Sequence, residues 1–310
     1  TKVSSYRFIC AFLAAWLIGT FVTPLKNLLG GGNEALGFQL TMTIFAVASV
    51  VLFWICFATT KERVAPVQEK TNVRLDLKAM AENGPWIALF ISGIFALMNV
   101  AVRNGSMVYY LKYYVGDDGT RLFLIFDKTS IFISLGMLAF VIGVSLTKTL
   151  CTYFEKRTLM IALTIGNAIT MAVFYVIPPD QYWLMLGVHC IGSLIIGPTP
   201  AIVWAMYADT ADYGEWKTGR RTTGLVFSSV LFAQKMGLAV GAGLAGVILG
   251  WFGFIANEAQ SETSLAGIRF LFSVFPAILS ILSAAAIFFY TINKATIATF
   301  EKALAERHAT

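Results

Sequence analysis

The densest polar chemistry of the sequence lies between Tyr207 and Gly224, a segment flanked by two long apolar stretches. Three carboxylates are followed there by three cations. These six residues are Asp209, Asp212, Glu215, Lys217, Arg220 and Arg221. The spacing of Asp209 and Asp212 places both on one face of a helix. The segment predicts a cluster of ion pairs that could act as a gate, and an ordinary charged loop without that role is the alternative.

A single lysine, Lys235, lies deep inside the next apolar stretch, about 13 residues beyond Thr222. At the helical rise per residue it lies roughly 20 Å from the start of its helix. A charge at that depth of a membrane costs about 2.5–3.5 kcal/mol unless it faces a cavity or a partner. Two interpretations stay open. Lys235 is either a structural lysine paired with an acid of another helix, or a cavity cation that pairs with a coupling-site carboxylate or binds substrate hydroxyls.

Three further side chains are candidates for substrate contact. Arg7 opens the first apolar stretch, where it could anchor the helix or offer a guanidinium fork to vicinal hydroxyls or to a carboxylate. Trp204 offers a ring for stacking on the apolar face of a ligand. Tyr110 belongs to a cluster of four tyrosines whose default role is an interfacial belt, with a platform for such a ligand as the alternative. Arg103, towards the same outer end of that stretch as Tyr110, could be an interfacial anchor or an outer-gate group.

The composition identifies the environment in which these residues work. The 310 residues are 57% hydrophobic and 13% charged, whereas a soluble domain carries about a quarter charged residues. The apolar runs are long and do not alternate, so they predict transmembrane helices. This excludes a soluble enzyme and predicts an all-α polytopic membrane protein. The eight predicted spans are Phe8–Leu25, Phe38–Ala58, Trp86–Tyr109, Thr129–Thr147, Leu159–Ile177, Trp183–Met206, Thr223–Trp251 and Gly267–Ile292.

Neither metal nor nucleic-acid chemistry is indicated. The four cysteines form no CxxC pair and the two histidines have no ligand spacing, so no metal or cofactor is expected. The net charge of +6 comes from basic residues at the ends of spans, which is the distribution of the positive-inside rule and not of a nucleic-acid-binding surface. The bilayer is the expected partner. Membrane-embedded enzymes remain an alternative, although no nucleophile–base pair is visible.

The loops between spans alternate between many and few basic residues, which predicts that both termini are cytoplasmic. The longest polar segment, 59–84, is then a cytoplasmic linker with two spans before it and six after it. A six-helix unit after such a linker is typical of the second half of a major facilitator. The predicted organisation is two last helices of a first half (1–58), the linker (59–84), a six-helix second half (85–292) and a cytoplasmic tail (293–310).

Several motifs resemble those of the glycoside-pentoside-hexuronide:cation symporters, the family of melibiose permease. The longest is the run Asp209-x-x-Asp212-Tyr-Gly-Glu215-Trp-Lys217-Thr-Gly-Arg220-Arg221. The others are Phe232-Ala233-Gln234-Lys235, Asn83-Gly84-Pro85-Trp86 and Tyr109-Tyr110-x-x-Tyr113-Tyr114. The resemblance covers essentially the whole chain as helices five to twelve of a twelve-helix fold. It implies that four helices precede Thr1, and we expect upstream DNA to encode them with two or more intramembrane Asp residues.

The resemblance implies a function and roles for the candidates. It implies symport of a glycoside, pentoside or hexuronide with sodium or a proton in a bacterial inner membrane, by a monomer. Lys235 would lie near the cation and sugar sites, and Arg7 would hydrogen-bond the sugar. The coupling carboxylates would lie on helices two and four, ahead of this chain. A non-transporting sugar sensor is the second alternative, although the tail 293–310 is too short for a signalling domain.

Overall fold

The computed structural model describes residues 2–61, 73–120, 122, 126–220 and 222–309, and it confirms the all-α prediction. The helices are α1 (Lys2–Gly30), α2 (Glu34–Thr59), α3 (Val73–Ala81), α4 (Gly84–Tyr109), α5 (Lys128–Tyr153), α6 (Lys156–Val173), α7 (Tyr182–Ile196), α8 (Thr199–Thr218), α9 (Thr223–Trp251), α10 (Glu262–Phe272), α11 (Val274–Phe288) and α12 (Lys294–Ala309). A π-helical turn, Tyr110–Tyr114, continues α4.

Short polar side chains at the boundaries explain where several helices begin and end. Asn33, Asn83, Asp127 and Ser261 each accept a hydrogen bond from a backbone N–H of the first turn, and so begin α2, α4, α5 and α10. Gly219 ends α8 in the left-handed conformation with φ 69°, which glycine adopts without a Cβ penalty. Local sequence therefore specifies these boundaries.

Within the described residues, seven segments are long and apolar enough to cross a membrane: Cys10–Gly30, Ala35–Thr59, Gly84–Tyr114, Lys128–Tyr153, Tyr182–Thr218, Thr223–Trp251 and Glu262–Phe288. They correspond to seven of the eight predicted spans. The remaining one, Leu159–Ile177, coincides with α6, whose 18 residues include Lys156 and Arg157.

Two predicted spans are interrupted. The sixth breaks between α7 and α8 at Gly197 and Pro198, two residues that disfavour a helix interior, and α8 then runs to Thr218, well beyond the predicted end at Met206. The last breaks between α10 and α11 at Ser273. Irregular backbone at membrane depth is tolerated only where protein or a cavity satisfies its polar groups.

Helix α4 is the centre of the six-helix unit and packs against α9, α11 and α10. Helix α5 packs on α7, and α6 packs on α7 and α11. Helix α1 joins this unit through α5. The Trp16 indole donates to the Ser134 backbone carbonyl at 3.1 Å, and the Thr20 hydroxyl donates to the Ser134 side-chain hydroxyl at 2.9 Å. We call the end of the bundle that carries α3 and α12 the linker end, and the opposite end the far end.

Two glycines of α9 permit its close approach to α4. A Cβ on Gly241 would lie 2.7 Å from the Met98 carbonyl oxygen, and one on Gly237 would lie 2.6 Å from that of Ile94. By contrast, a Cβ on Gly243 would meet nothing within 4 Å. Gly237 and Gly241 therefore allow α9 to pack closely against α4.

Gly241→Ala is therefore expected to lower the thermal unfolding temperature of the detergent-solubilised protein, because α9 must move away from α4. Overpacking of this kind costs about 1–3 kcal/mol. Gly243→Ala, a chemically identical change two residues away, should leave the unfolding temperature unchanged or slightly raised. Equal effects of the two substitutions would contradict the packing assignment.

Candidate substrate face and linker-end ion pairs

Lys235 lies on the face of α9 that is opposite to Gly237 and the contact with α4. Its side chain is exposed, although the surrounding helix is apolar. Among the described residues, no acid forms an ion pair with it. A lysine at this depth therefore presents its charge away from the six-helix unit, where the described chain does not neutralise it.

Trp204 of α8 lies beside the same strip of α9. Its ring stacks on that of Phe227, with centroids 5.6 Å apart and an interplanar angle of 16°. Phe227 precedes Lys235 by eight residues on α9, which places the two side chains on one strip roughly 12 Å apart along the axis. The structure thus brings an aromatic stack and a cation onto one surface, which we call the α9 strip (Phe227, Leu231 and Lys235).

The other two substrate candidates do not join the α9 strip in the structure. Tyr110 is 0% exposed, and its ring stacks on Phe272 with centroids 4.3 Å apart. A sugar has no access to that ring, so the platform interpretation of Tyr110 is wrong for this conformation; the side chain packs the core of the far end. Arg7 lies in α1, and its side chain lies outside the described part of the structure.

At the linker end, Asp209 of α8 forms an ion pair with Lys156, the first residue of α6, at 2.6 Å. The Asp209 side chain is 15% exposed. The Tyr290 hydroxyl is buried nearby, and both its burial and the Asp209 charge raise the pKa of Tyr290 above its ordinary value. Tyr290 therefore stays neutral beside the ion pair. A small cavity of about 50 Å³ adjoins them.

Arg220, just beyond α8, forms a second ion pair with Asp76 of α3. Both Nε and Nη2 of Arg220 lie 2.7 Å from the same carboxylate oxygen. The Asp76 side chain is only 8% exposed. The nearby Lys217 ammonium donates to the Glu82 carbonyl at 3.2 Å. These contacts tie the predicted linker to the end of α8.

Asp209 and Arg220, two members of the predicted cluster in the segment 207–224, therefore pair with other elements and not with each other. Asp209 and Arg220 are 11 residues apart, which is roughly 16 Å along a helix. Each instead binds a different neighbouring element, α6 or α3. Asp212 and Glu215 lie half-buried in the last turns of α8, as their helical spacing predicts, and Arg221 lies outside the described residues.

Comparison with known proteins identifies the family. The model of the MFS/sugar transport protein family matches residues 1–294. The chain belongs to this family. Similar curated proteins include the inner membrane symporter YicJ of Escherichia coli (35% identical over 91% of this chain) and the putative glycoside/cation symporter YagG of Escherichia coli (29% over 89%). The isoprimeverose transporter of Lactiplantibacillus pentosus is 30% identical over 94% of the chain.

The sugar-transporter family predicted from the motifs is thus confirmed. The chain spans only part of these relatives, covering 60% of YicJ, 59% of YagG and 60% of the isoprimeverose transporter. Within the chain, the family motif around Asn83 has a structural explanation. The Asn83 side chain caps α4 and donates to the Thr210 carbonyl of α8 at 2.8 Å, so it fixes the linker end of α4 to α8.

Asp76 is the linker-end residue that sequence reasoning missed. It lies in a polar segment without a motif, and its partner Arg220 is 144 residues away in sequence. One feature of the sequence does favour a helix here: Asp76 lies in the first turn of a short helix whose apolar residues Ala79 and Met80 are buried. An acidic residue is favourable at that position.

Loss of the Asp76–Arg220 pair should loosen α3. In Arg220→Gln we expect amide hydrogen exchange in residues 73–81 to become about tenfold faster, since a partly buried charge-assisted bond contributes about 1.4 kcal/mol. The double variant with Asp76→Arg and Arg220→Asp should restore protection. Lys78→Gln, which alters an exposed charge of the same helix, should leave exchange unchanged. Normal protection in Arg220→Gln would exclude the pair as the anchor of α3.

Proposed function

We propose that this protein is a secondary active transporter that symports a sugar with sodium or a proton across a bacterial inner membrane. The observation that carries the proposal is Lys235, a membrane-depth cation that no described acid neutralises. Such residues are retained where they serve a pathway or a binding site. Family membership and the similarity to the symporters YicJ and YagG support the same conclusion.

The α9 strip is the proposed sugar face. The Trp204–Phe227 stack offers an apolar surface for the CH groups of a sugar ring, and the ammonium of Lys235 offers three hydrogen-bond donors for hydroxyls. A few polar groups placed on an aromatic surface are typical of small-molecule sites. We propose that Arg7 of α1 also contacts the sugar, as a guanidinium fork for two hydroxyls or for a carboxylate.

Coupling follows from the charge of Lys235. At this depth the ammonium requires a carboxylate partner, which we place outside the described residues. A cation bound to that carboxylate would release Lys235 to bind the sugar, so the cation raises the affinity for sugar. By linkage, the sugar must raise the affinity for the cation by the same factor. The proposed cycle involves a monomer and no covalent chemistry.

The linker end is proposed to be cytoplasmic, because its loops carry most of the basic residues. Asp209, Asp212, Glu215, Arg220 and Arg221 would then lie around the cytoplasmic mouth. The ion pairs to α6 and α3 support a role in holding the end of α8 in place during the cycle. They act on the rate of conformational change and not on the sugar itself.

The proposal is tested by uptake of labelled isoprimeverose and other glycosides in cells that express the protein from its own gene and start codon. We expect accumulation of at least one sugar above its external concentration under an imposed sodium or proton gradient, and equilibration only when the gradient is removed. Uptake that ignores both gradients would contradict coupling. Binding without uptake would favour the sensor alternative.

A further inference from the structure

A row of polar side chains runs along α4 where it faces α10 and α11. Its members are Ser92, Asn99, Arg103 and Ser106, spaced so that all four share one helix face. Ser92 is hydrogen-bonded to Ser283 at 2.8 Å, and the Asn99 amide donates to Ser280 at 2.7 Å. All four are buried. The row faces α10 and α11 along the part of the last span that contains the break at Ser273.

The break has a covalent cause. In an uninterrupted helix the carbonyl of Phe272 would accept from the N–H of residue 276, but that residue is Pro276 and has no N–H. The chain accordingly leaves the helical conformation at Ser273, with φ −120° and ψ −73°, and α11 begins at Val274. A buried carbonyl without a donor is costly, above all at membrane depth.

Arg103 supplies the donor. Its Nη1 lies 3.0 Å from the Phe272 carbonyl oxygen, and its guanidinium lies over the rings of Phe272 and Phe174, 4.4 and 5.0 Å from their centroids. The Ser106 hydroxyl, three residues further along α4, lies 3.2 Å from the Leu271 carbonyl and 2.8 Å from the Val102 carbonyl of its own helix. The Phe272 carbonyl at the end of α10 is thus bonded from α4.

The same contacts explain how the charge of Arg103 is stabilised in the core. Its side chain is turned into the core, with the residue 9% exposed, and no acid of the described residues pairs with it. The two rings and the carbonyl are the groups that stabilise its charge. This differs from an arginine that reaches for the membrane surface, and the interfacial-anchor interpretation of Arg103 is wrong.

We propose that Arg103 replaces the hydrogen bond that Pro276 removes, and that the joint it maintains between α10 and α11 is a hinge of the transport cycle. The second part rests on the proposed function. Because the Phe272 carbonyl at the end of α10 is bonded from α4 and not from α11, α10 can change its angle to α11 without breaking hydrogen bonds within either helix. Joints of a few residues at the ends of elements are typical of such hinges.

The hydrogen-bond assignment is tested by a double-mutant cycle on thermal unfolding of the detergent-solubilised protein. Arg103→Met should lower the unfolding temperature by about 5 °C, as expected for loss of a buried charge-assisted bond in a chain of this size. With Pro276→Ala, whose new N–H can bond the Phe272 carbonyl, Arg103→Met should cost less than about half as much. Arg103→Gln, which keeps an N–H donor, should cost less than Arg103→Met and also covers the case in which the Met variant does not fold.

Ser92→Ala is the matched control, because Ser92 lies on the same row but bonds Ser283 and not the break. Its effect should be the same whether or not Pro276→Ala is present. Equal losses for Arg103→Met in both backgrounds would overturn the assignment of the Arg103 hydrogen bond.

The hinge is tested by sugar uptake. Pro276→Ala should lower the turnover several-fold while the half-saturating sugar concentration stays unchanged. Unchanged turnover would overturn the hinge. Absence of any sugar uptake by the unsubstituted protein would contradict the proposed function alone, and the thermal cycle would still decide the role of Arg103.

Discussion

In Lys235→Met, gradient-driven sugar accumulation should fall to the level of cells that lack the gene, while the amount of protein in the membrane stays the same. Methionine preserves the length and apolar character of the side chain and removes only the charge. Insertion should become easier, because an ammonium at membrane depth costs about 2.5–3.5 kcal/mol on insertion scales. The variant therefore separates the role of the charge from the folding of α9.

The measurement is sugar uptake under a sodium or proton gradient, divided by the amount of inserted protein. Lys148→Met is the matched control, because Lys148 is an exposed lysine near the end of α5 and its loss should leave uptake normal. Normal coupled uptake by Lys235→Met would show that Lys235 has only a structural role, and would contradict the proposed coupling.

The second large effect is expected at Asp209. Asp209→Asn leaves Lys156 of α6 without its counter-charge beside the buried Tyr290 hydroxyl. We expect the free energy of unfolding to fall by about 1–3 kcal/mol, since the partly buried Lys156 ammonium then lacks its charged partner. The maximal uptake rate should fall more than the affinity for sugar changes, because the pair lies at the linker end and not on the α9 strip.

The pair is isolated by a double-mutant cycle with Lys156→Met, in which the double variant should recover part of the stability that each single variant loses. Asp209→Asn combined with Lys294→Met should instead be additive, because Lys294 lines the same cavity but is exposed. Additive effects of Asp209→Asn and Lys156→Met would show that the ion pair contributes nothing.

The length of the apolar runs made the membrane-spanning helices predictable. The break between α7 and α8 follows directly from Gly197 and Pro198, because consecutive helix-breaking residues there leave few alternatives. The break between α10 and α11 is not predicted, because the predicted span Gly267–Ile292 runs through Pro276 without interruption. A single proline inside an apolar run is compatible with either a kinked or a divided span.

Partners of charged residues were the least predictable feature. Asp209 and Arg220 are close in sequence and were assigned to one cluster, yet a helix holds them too far apart to meet. Their actual partners, Lys156 and Asp76, come from distant segments. Sequence likewise does not indicate on which side of a tyrosine cluster the core lies, so the burial of Tyr110 emerged only from the packing of α4 on α10.

The central claim is that sugar and cation move together through this protein. It is tested most directly by adding isoprimeverose or another transported glycoside, with no imposed gradient, to de-energised cells that express the gene and recording sodium and proton entry. We predict that the sugar drives entry of one of the two cations, and that Lys235→Met abolishes this entry. Sugar uptake without entry of either cation would contradict the account.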